Sequence, residues 1–467
     1  MEKIDFIDAG FLRLETPEAP MHVAALSLLE FPKGANRKRF LARASDIYRS
    51  STELRRPLGD RVAHGLLGSL GPMHWEPDPD LDLDYHISHS ALPQPGRYRE
   101  LFDLVGRLHS TMLDRSRPLW EVHVIEGLKD RQFAVYTKMH HATIDGIAGI
   151  KMTEDGCSPD PNVVTDYSPL SMEAYRKSRR KRRKAAEHDT EPSEFELKAV
   201  AEFVKAQFDT SAHALGLIKN YATTWLGLGN GLAVPFRHVP HTVINHQISG
   251  ARRVVAQSWS IDRIRAVSSA TGTTINDIVL AMCSGALRRY LVDQDDLPDH
   301  SLRAMVPVSV RDEDAAQPAV AISLITANLG TKYDDPGDRL ETIVESMQAG
   351  KKMLADLSPR EAMFYASLTQ LPLFLTNMAG ISDWLPAFST VISNVPGPKE
   401  QLYWNGAPLL GAYPFSAVFH GFALNITFVG YNGKLDFGLV ACRRTVPHMQ
   451  RMIGYLEDSL TELEAMV

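Results

Sequence analysis

A break near the middle of the chain divides it before any fold is considered. Ser158-Pro159-Asp160-Pro161 clusters turn-forming residues, and Arg176-Lys177-Ser178-Arg179-Arg180-Lys181-Arg182-Arg183-Lys184 follows as a dense basic run. Breakers followed by a block of like charge read as an exposed connector, since neither a packed helix nor a strand tolerates that composition on its buried side. The chain's 467 residues also exceed what one hydrophobic core usually serves. The expected organisation is a subdomain over residues 1–168, an exposed basic linker over 169–212 and a second subdomain over 213–467.

Both outer segments mix strand and helix patterns, so the fold class expected is α/β. In Gln132–Met139 the residues Phe133, Val135 and Met139 share one parity, which predicts a half-buried strand running into His140 and His141. Ile147-Ala148-Gly149-Ile150 then starts a short apolar helix. Further on, Ile275, Ile278, Val279, Met282, Ala286, Leu287, Tyr290 and Leu291 recur at helical spacing. That spacing predicts an amphipathic helix, with Thr274 and Asp277 forming a capping box at its start.

Composition narrows the function classes. Hydrophobic residues make up 44% and charged residues 23%, and the formal net charge is −6. These values fit a globular protein, with no global field suited to nucleic acid. The basic run has two readings: a solvated linker helix, or adhesion to anionic lipid at about 1 kcal/mol per cation. Three scattered cysteines, Cys157, Cys283 and Cys442, offer neither a disulfide framework nor a zinc site. Met1–Phe6 lacks a signal-peptide pattern, and no run approaches the roughly 20 apolar residues of a membrane span. The expected location is cytoplasmic, with peripheral reach to the membrane face or to lipid inclusions.

Chemistry concentrates at His140-His141-Ala142-Thr143-Ile144-Asp145-Gly146. Neighbours on a strand point to opposite faces, so one histidine should be structural and the other should face a pocket. An imidazole with a pKa near about 6.5 takes up and returns a proton at neutral pH. Asp145 is placed to cap the following helix, or else to orient the base. No nucleophile elbow accompanies it, and a metal site would be short of ligands, so none is expected.

His-His-x-x-x-Asp-Gly, as it stands here, is similar to the signature of chloramphenicol acetyltransferase-like acyltransferases, among them nonribosomal condensation domains and plant BAHD enzymes. The closest resemblance is to bacterial wax ester synthase/diacylglycerol acyltransferases. It rests on Phe6-Ile7-Asp8 through Pro20-Met21-His22-Val23, Pro118-Leu119-Trp120-Glu121, Asn276-Asp277, Ser393-Asn394-Val395-Pro396-Gly397-Pro398 and Gly421 to Thr427. The fold implied is two chloramphenicol acetyltransferase-like subdomains of mixed sheets and helices, with an active-site channel at their interface.

The resemblance implies that His141 is the general base while His140 and Asp145 hold its loop, with Gly146 completing the catalytic motif. It also implies a salt bridge from Asp145 to an arginine of Leu54-Arg55-Arg56, with Arg55 preferred to Arg56. The implied reaction is direct transfer of the acyl group of acyl-CoA to a fatty alcohol or diacylglycerol. Acyl-CoA is a substrate, and no cofactor is expected. Asn276 is the candidate oxyanion donor, or simply a residue beside the cap, and Asp277 is the cap's partner. Ser393 and Asn394 precede a Pro-Gly turn and are candidates to face the substrates. Trp120 and the segment Leu371–Leu375 line an acyl channel or belong to the core; each acyl methylene buried would contribute about 0.8 kcal/mol. Lys151–Asp155 departs from the apolar helix the family pattern implies, leaving that helix's length open. Two further readings stand beside this one: a condensation-type transferase using carrier-protein thioesters, and a non-catalytic lipid-binding protein of the same fold.

Overall fold

A computed structural model describes residues 2–51, 53–64, 71–185, 234–310, 321–355, 373 and 375–467. Among the described residues, fifteen strands form three sheets. The small one joins β1 (Glu2–Lys3), β4 (Met73–Pro77) and β3 (Asp60–His64). The first six-stranded sheet runs β12 (Tyr403–Trp404), β13 (Ala407–Phe415), β2 (His22–Glu30), β7 (Gln132–His140), β6 (Trp120–Glu126) and β5 (Ile87–Ala91). The second runs β10 (Ala321–Asn328), β9 (Arg303–Val310), β11 (Thr390–Val395), β14 (Leu424–Tyr431), β15 (Lys434–Cys442) and β8 (Arg252–Ser260).

Ten α-helices are described: α1 (Phe6–Leu14), α2 (Arg37–Arg49), α3 (Leu83–His86), α4 (Tyr98–Ser110), α5 (Gly146–Asp155), α6 (Met172–Ala185), α7 (Ile261–Thr271), α8 (Ile275–Asp293), α9 (Pro336–Ala355) and α10 (Met452–Glu464). The architecture is mixed α/β, with parallel and antiparallel pairs in both large sheets.

The division by sequence does not follow the sheets. Strand β13 pairs antiparallel with β2, Ala412 opposite Ser27, so residues 403–415 complete the sheet built by the first part of the chain. Cores follow the same mixing. Leu26 and Tyr136 pack in one cluster with Ile278, Val279 and Phe437, while Phe133, Val135 and Met139 pack in another with Ile150, Trp404 and Tyr431. Strand β7 is therefore covered on both faces, and the half-buried strand expected from its parity is corrected: all of Phe133–Tyr136 and Lys138–His140 are buried. Alternation was real, but the even face meets a second layer instead of water.

Helix α8 begins at the capping box expected of it: Thr274 Oγ1 accepts from Asp277 N at 3.2 Å, and Asp277 Oδ2 accepts from Thr274 N at 3.0 Å. Its expected amphipathic character is corrected. Asp277 to Leu287 are buried without interruption, because helices α7, α9 and α10 and the second sheet surround it. Of the linker, residues 172–185 form α6, with Leu170 and Ser171 just before it and Ala174 in its first turn buried. The side chains of Lys181 to Lys184 and all of residues 186–212 lie outside the described residues.

Candidate active site

The end of β7 is pinned from both sides. His140 N donates to Leu119 O at 2.9 Å and His141 N to Met21 O at 2.8 Å, so β6 and β2 fix where the two imidazoles start. As the parity of a strand requires, the rings part.

His140 turns into the protein and is fully buried. Its Nδ1 accepts from Ala142 N at 3.0 Å, and Thr143 bonds the His140 carbonyl through both N and Oγ1, at 2.9 and 2.7 Å. An accepting Nδ1 assigns the neutral ring's proton to Nε2, which faces Glu15 Oε2 at 3.6 Å, beyond a hydrogen bond. Burial, with Arg115 and His141 adding to it, pushes the His140 pKa down to about 3. The ring is therefore neutral near pH 7.

Glu15, whose side chain has no exposed surface, collects the pieces around it. It accepts from Met21 N at 3.0 Å and from Arg115 Nε and a terminal nitrogen at 3.1 and 3.0 Å. Helix α1, the start of β2 and the loop before β6 are thereby tied to one carboxylate, with the His140 ring beside it. A small core of Ile4, Leu12, Leu113, Leu119 and Ala142 seats α1 beside it.

His141 is half-buried. Its ring stacks on Phe11 of α1, centroids 4.0 Å apart and planes inclined by 19°. Burial lowers its pKa, while a hydrogen bond donated by the ring to its own backbone carbonyl and the charge of Asp145 oppose the shift. A neutral imidazole near pH 7 follows, which is the form a general base needs. Asp8, one turn before Phe11, is pushed up to about 8 by burial first, then by Asp5 and by Asp145.

Asp145 caps α5: it has extended backbone angles, and its carboxylate accepts from Ala148 N at 2.7 Å. Gly146 follows as the first helical residue, where an added Cβ would stand 3.5 Å from Val395 Cγ2. The end of β11 thus abuts the start of α5. Ser393 is half-buried and Asn394 exposed, two residues and one residue before that contact. Asn276 lies half-buried in the first turn of α8, and no described hydrogen bond or ring contact joins it to His141. Asp277 is buried in the capping box, its second oxygen without a hydrogen-bond partner.

One expectation is corrected, and of the two readings of Trp120 the structure carries the core one. Arg55 does not pair with Asp145; its guanidinium meets Asp155 at 2.8 Å, and Arg56 reaches toward Glu2 at 3.9 Å. Asp155 closes the far end of α5, ten residues and about 15 Å along the helix axis from Asp145. That buried pair also explains why α5 runs through the polar stretch Lys151–Asp155. Trp120 is core, fully buried, with its indole N–H on Leu58 O at 2.7 Å and its ring stacked on His86 at 4.4 Å. Leu371, Pro372 and Phe374 lie outside the described residues.

Two cavities are described, and His141 lines neither. One of about 430 Å³ opens at the start of α6 between Ser50, Tyr167, Ser171 and Arg176; one of about 30 Å³ lies under α5, against Thr137, Met152 and Cys157. Phe11 covers one face of the catalytic candidate where a channel was expected.

Sequence reasoning missed Phe11, Glu15 and Arg115. Glu15 ends a short helix and reads as a solvated carboxylate, and Arg115 is 100 residues away from it. Only the neighbouring blocks Phe6-Ile7-Asp8 and Pro20-Met21-His22 hinted that this segment approaches the histidines.

Comparison with known proteins points the same way. Residues 4–279 match the wax ester synthase/diacylglycerol acyltransferase catalytic domain, and residues 321–464 match the C-terminal domain of the same family. The chain is 37% identical to O-acyltransferase WSD of Acinetobacter baylyi, over 100% of this chain and 97% of that protein. A Mycobacterium tuberculosis protein named for diacylglycerol O-acyltransferase activity is 43% identical over 99% of both chains. Among solved structures, the wax ester synthase/diacylglycerol acyltransferase from Marinobacter aquaeolei VT8 superposes with a TM-score of 0.76 at 37% identity, covering 99% of both chains. The first condensation domain of the CDA synthetase, at 16% identity and a TM-score of 0.57, shares the fold.

Proposed function

The chain belongs to the wax ester synthase/diacylglycerol acyltransferase family and is an acyltransferase, and we propose that it esterifies long-chain alcohols from acyl-CoA, with diacylglycerol as a second acceptor and His141 as the general base. The observation that supports this assignment of the base is the division between two adjacent imidazoles. His140 is sealed, its pKa pushed down to about 3, and His141 is half-buried, its pKa lowered by burial but held up by the charge of Asp145.

In the proposed reaction the imidazole of His141 takes the proton of the acceptor hydroxyl as the oxygen attacks the thioester carbonyl. The tetrahedral intermediate collapses by breaking the carbon–sulfur bond, and the imidazolium returns its proton to the CoA thiolate. The acyl group passes directly to the acceptor. Asn276 is proposed as a donor to the oxyanion, a role typically worth about 3 kcal/mol. Ser393 and Asn394, near the start of α5, are proposed to contact substrate. No cofactor enters the reaction. Acceptors of this kind partition into lipid, so peripheral contact with an anionic membrane or a lipid inclusion is part of the same proposal.

A radiolabelled acyl-CoA assay against a panel of alcohols and diacylglycerol, resolved by thin-layer chromatography, tests it. Labelled wax ester, with a smaller yield of triacylglycerol, is expected. Labelled amide or carrier-bound product with no ester would overturn it.

A further inference from the structure

Phe11 and His141 lie face to face, ring centroids 4.0 Å apart and planes inclined by 19°. Such a stack covers one face of the imidazole and leaves the ring edge, which carries both nitrogens, uncovered. The hydrogen bond from the ring to its own backbone carbonyl uses Nδ1, the nitrogen nearer the main chain, so Nε2 is the one left to take a proton. His141 N is fixed on Met21 O at 2.8 Å, and the stack then restrains the plane of the ring.

Phe11 is itself held in place. Helix α1 is capped where Asp8 N donates to Asp5 Oδ1 at 2.8 Å, and Glu15 N closes its far end on Phe11 O at 3.1 Å. Arg115 bonds Leu12 O, and Arg13 bonds Gly71 O at 3.0 Å, which ties the helix to two other parts of the chain. Ala9 and Leu12 turn into the small core that seats α1, whereas Phe11, half-buried, packs against the large one. One helix thus uses its apolar side to anchor itself and lays an aromatic ring on the candidate base.

What that ring contributes depends on the charge of its partner. Against a neutral imidazole a phenyl face offers packing alone; against an imidazolium it adds cation–π attraction, so the charged form is favoured. Of the acids nearby, Asp145 supports the charged form from the cap of α5. Asp8, one turn before Phe11, is pushed up to about 8 by burial, Asp5 and Asp145, and so is protonated through the acid range. Asp5 is exposed at the start of α1, and His140 behind the strand is neutral near pH 7. The Phe11 face therefore joins the ring's own hydrogen bond and the Asp145 charge in offsetting the burial of His141.

We propose that Phe11 is a positioning residue for acyl transfer: its ring fixes the plane of the His141 imidazole and stabilises the imidazolium that forms when the acceptor proton is taken up. The inference rests on the reading of His141 as the base.

The pH dependence of kcat/KM for alcohol esterification tests it, beside a histidine-selective NMR titration of the full chain in which His141→Ala identifies the signal. Phe11→Leu and Phe11→Met keep an apolar side chain without a π face, and Phe11→Tyr keeps the face. In the leucine and methionine variants the acid limb and the His141 titration should both move to lower pH by about half to one unit. The value of kcat should fall by about three- to tenfold, more than KM changes, and Phe11→Tyr should keep limb and titration at their parental positions. A titration that stays in place in the leucine and methionine variants would overturn the proposal, whatever the fall in kcat. An equal shift in Phe11→Tyr would do the same, since it would trace the effect to packing instead of the aromatic face. A titration that moves while the limb stays would instead refute His141 as the base, which separates the two failures.

Discussion

The region behind the end of β7 and the region in front of it are built from the same two-residue step and could hardly differ more. Behind, His140, Glu15 and Arg115 form a closed polar cluster in which the imidazole has lost its basicity to burial. In front, His141 keeps an open edge, a ring contact to Phe11 and the nearby charge of Asp145. What separates them is strand parity combined with a second layer on the even face of β7. On the proposed assignment, one histidine is consumed in fixing the loop and the other is left to act as the base. Rigid support behind a reacting group is the usual condition for precise placement.

The comparison breaks most visibly at the front. His141→Ala should lower esterification of a long-chain alcohol by about a hundred- to ten-thousand-fold while leaving the melting temperature near the parent's. Turnover within a few-fold of the parent would remove the base from this position.

A change behind the strand should do the reverse. Glu15→Gln keeps an acceptor for Met21 N but strips the charge that faces Arg115, costing about 2 kcal/mol of stability; the figure is held down because the Arg115 side chain is 36% exposed. Chemical denaturation should show that loss, together with a fall in kcat larger than any change in KM. Unchanged stability would mean that the carboxylate does not hold the loop.

The smallest effect belongs to Asp145, which serves both regions. Asp145→Ala removes the α5 cap, worth about 1 kcal/mol, and removes a negative charge that supports protonation of His141. Thermal melts should therefore shift down modestly, and the acid limb of activity should move to lower pH. Lost activity at an unchanged melting temperature would reverse this division.

What the sequence revealed followed the range of the interactions. The α8 cap was legible because Thr274 and Asp277 are three residues apart and answer only to each other. The order strand, histidines, cap, helix was legible for the same reason, as was the mixed α/β class. Two-sided burial of β7 was hidden, since its second covering layer joins α4 to residues beyond 240. Glu15 was hidden because it lies 125 residues from His140, and a carboxylate at a helix end carries no mark of burial. Arg55 was matched to the wrong acid: Asp145 and Asp155 bound the same helix, and only coordinates say which end an arginine can reach. Trp120 went to the core because its N–H found Leu58 O there.

The division of labour between the two imidazoles is tested most directly by the pH dependence of kcat/KM for alcohol esterification, measured in the parent and in His140→Asn, whose amide oxygen can still accept from Ala142 N. With the base at His141 and its pKa lowered, activity is kept above the limb and lost as pH falls through it. The expected result is a single acid limb below pH about 6.5, at the same position in both proteins, because His140 does not titrate in that range. A limb that disappears or shifts in His140→Asn, in a variant that still turns over, would place the titrating base behind the strand and contradict the assignment.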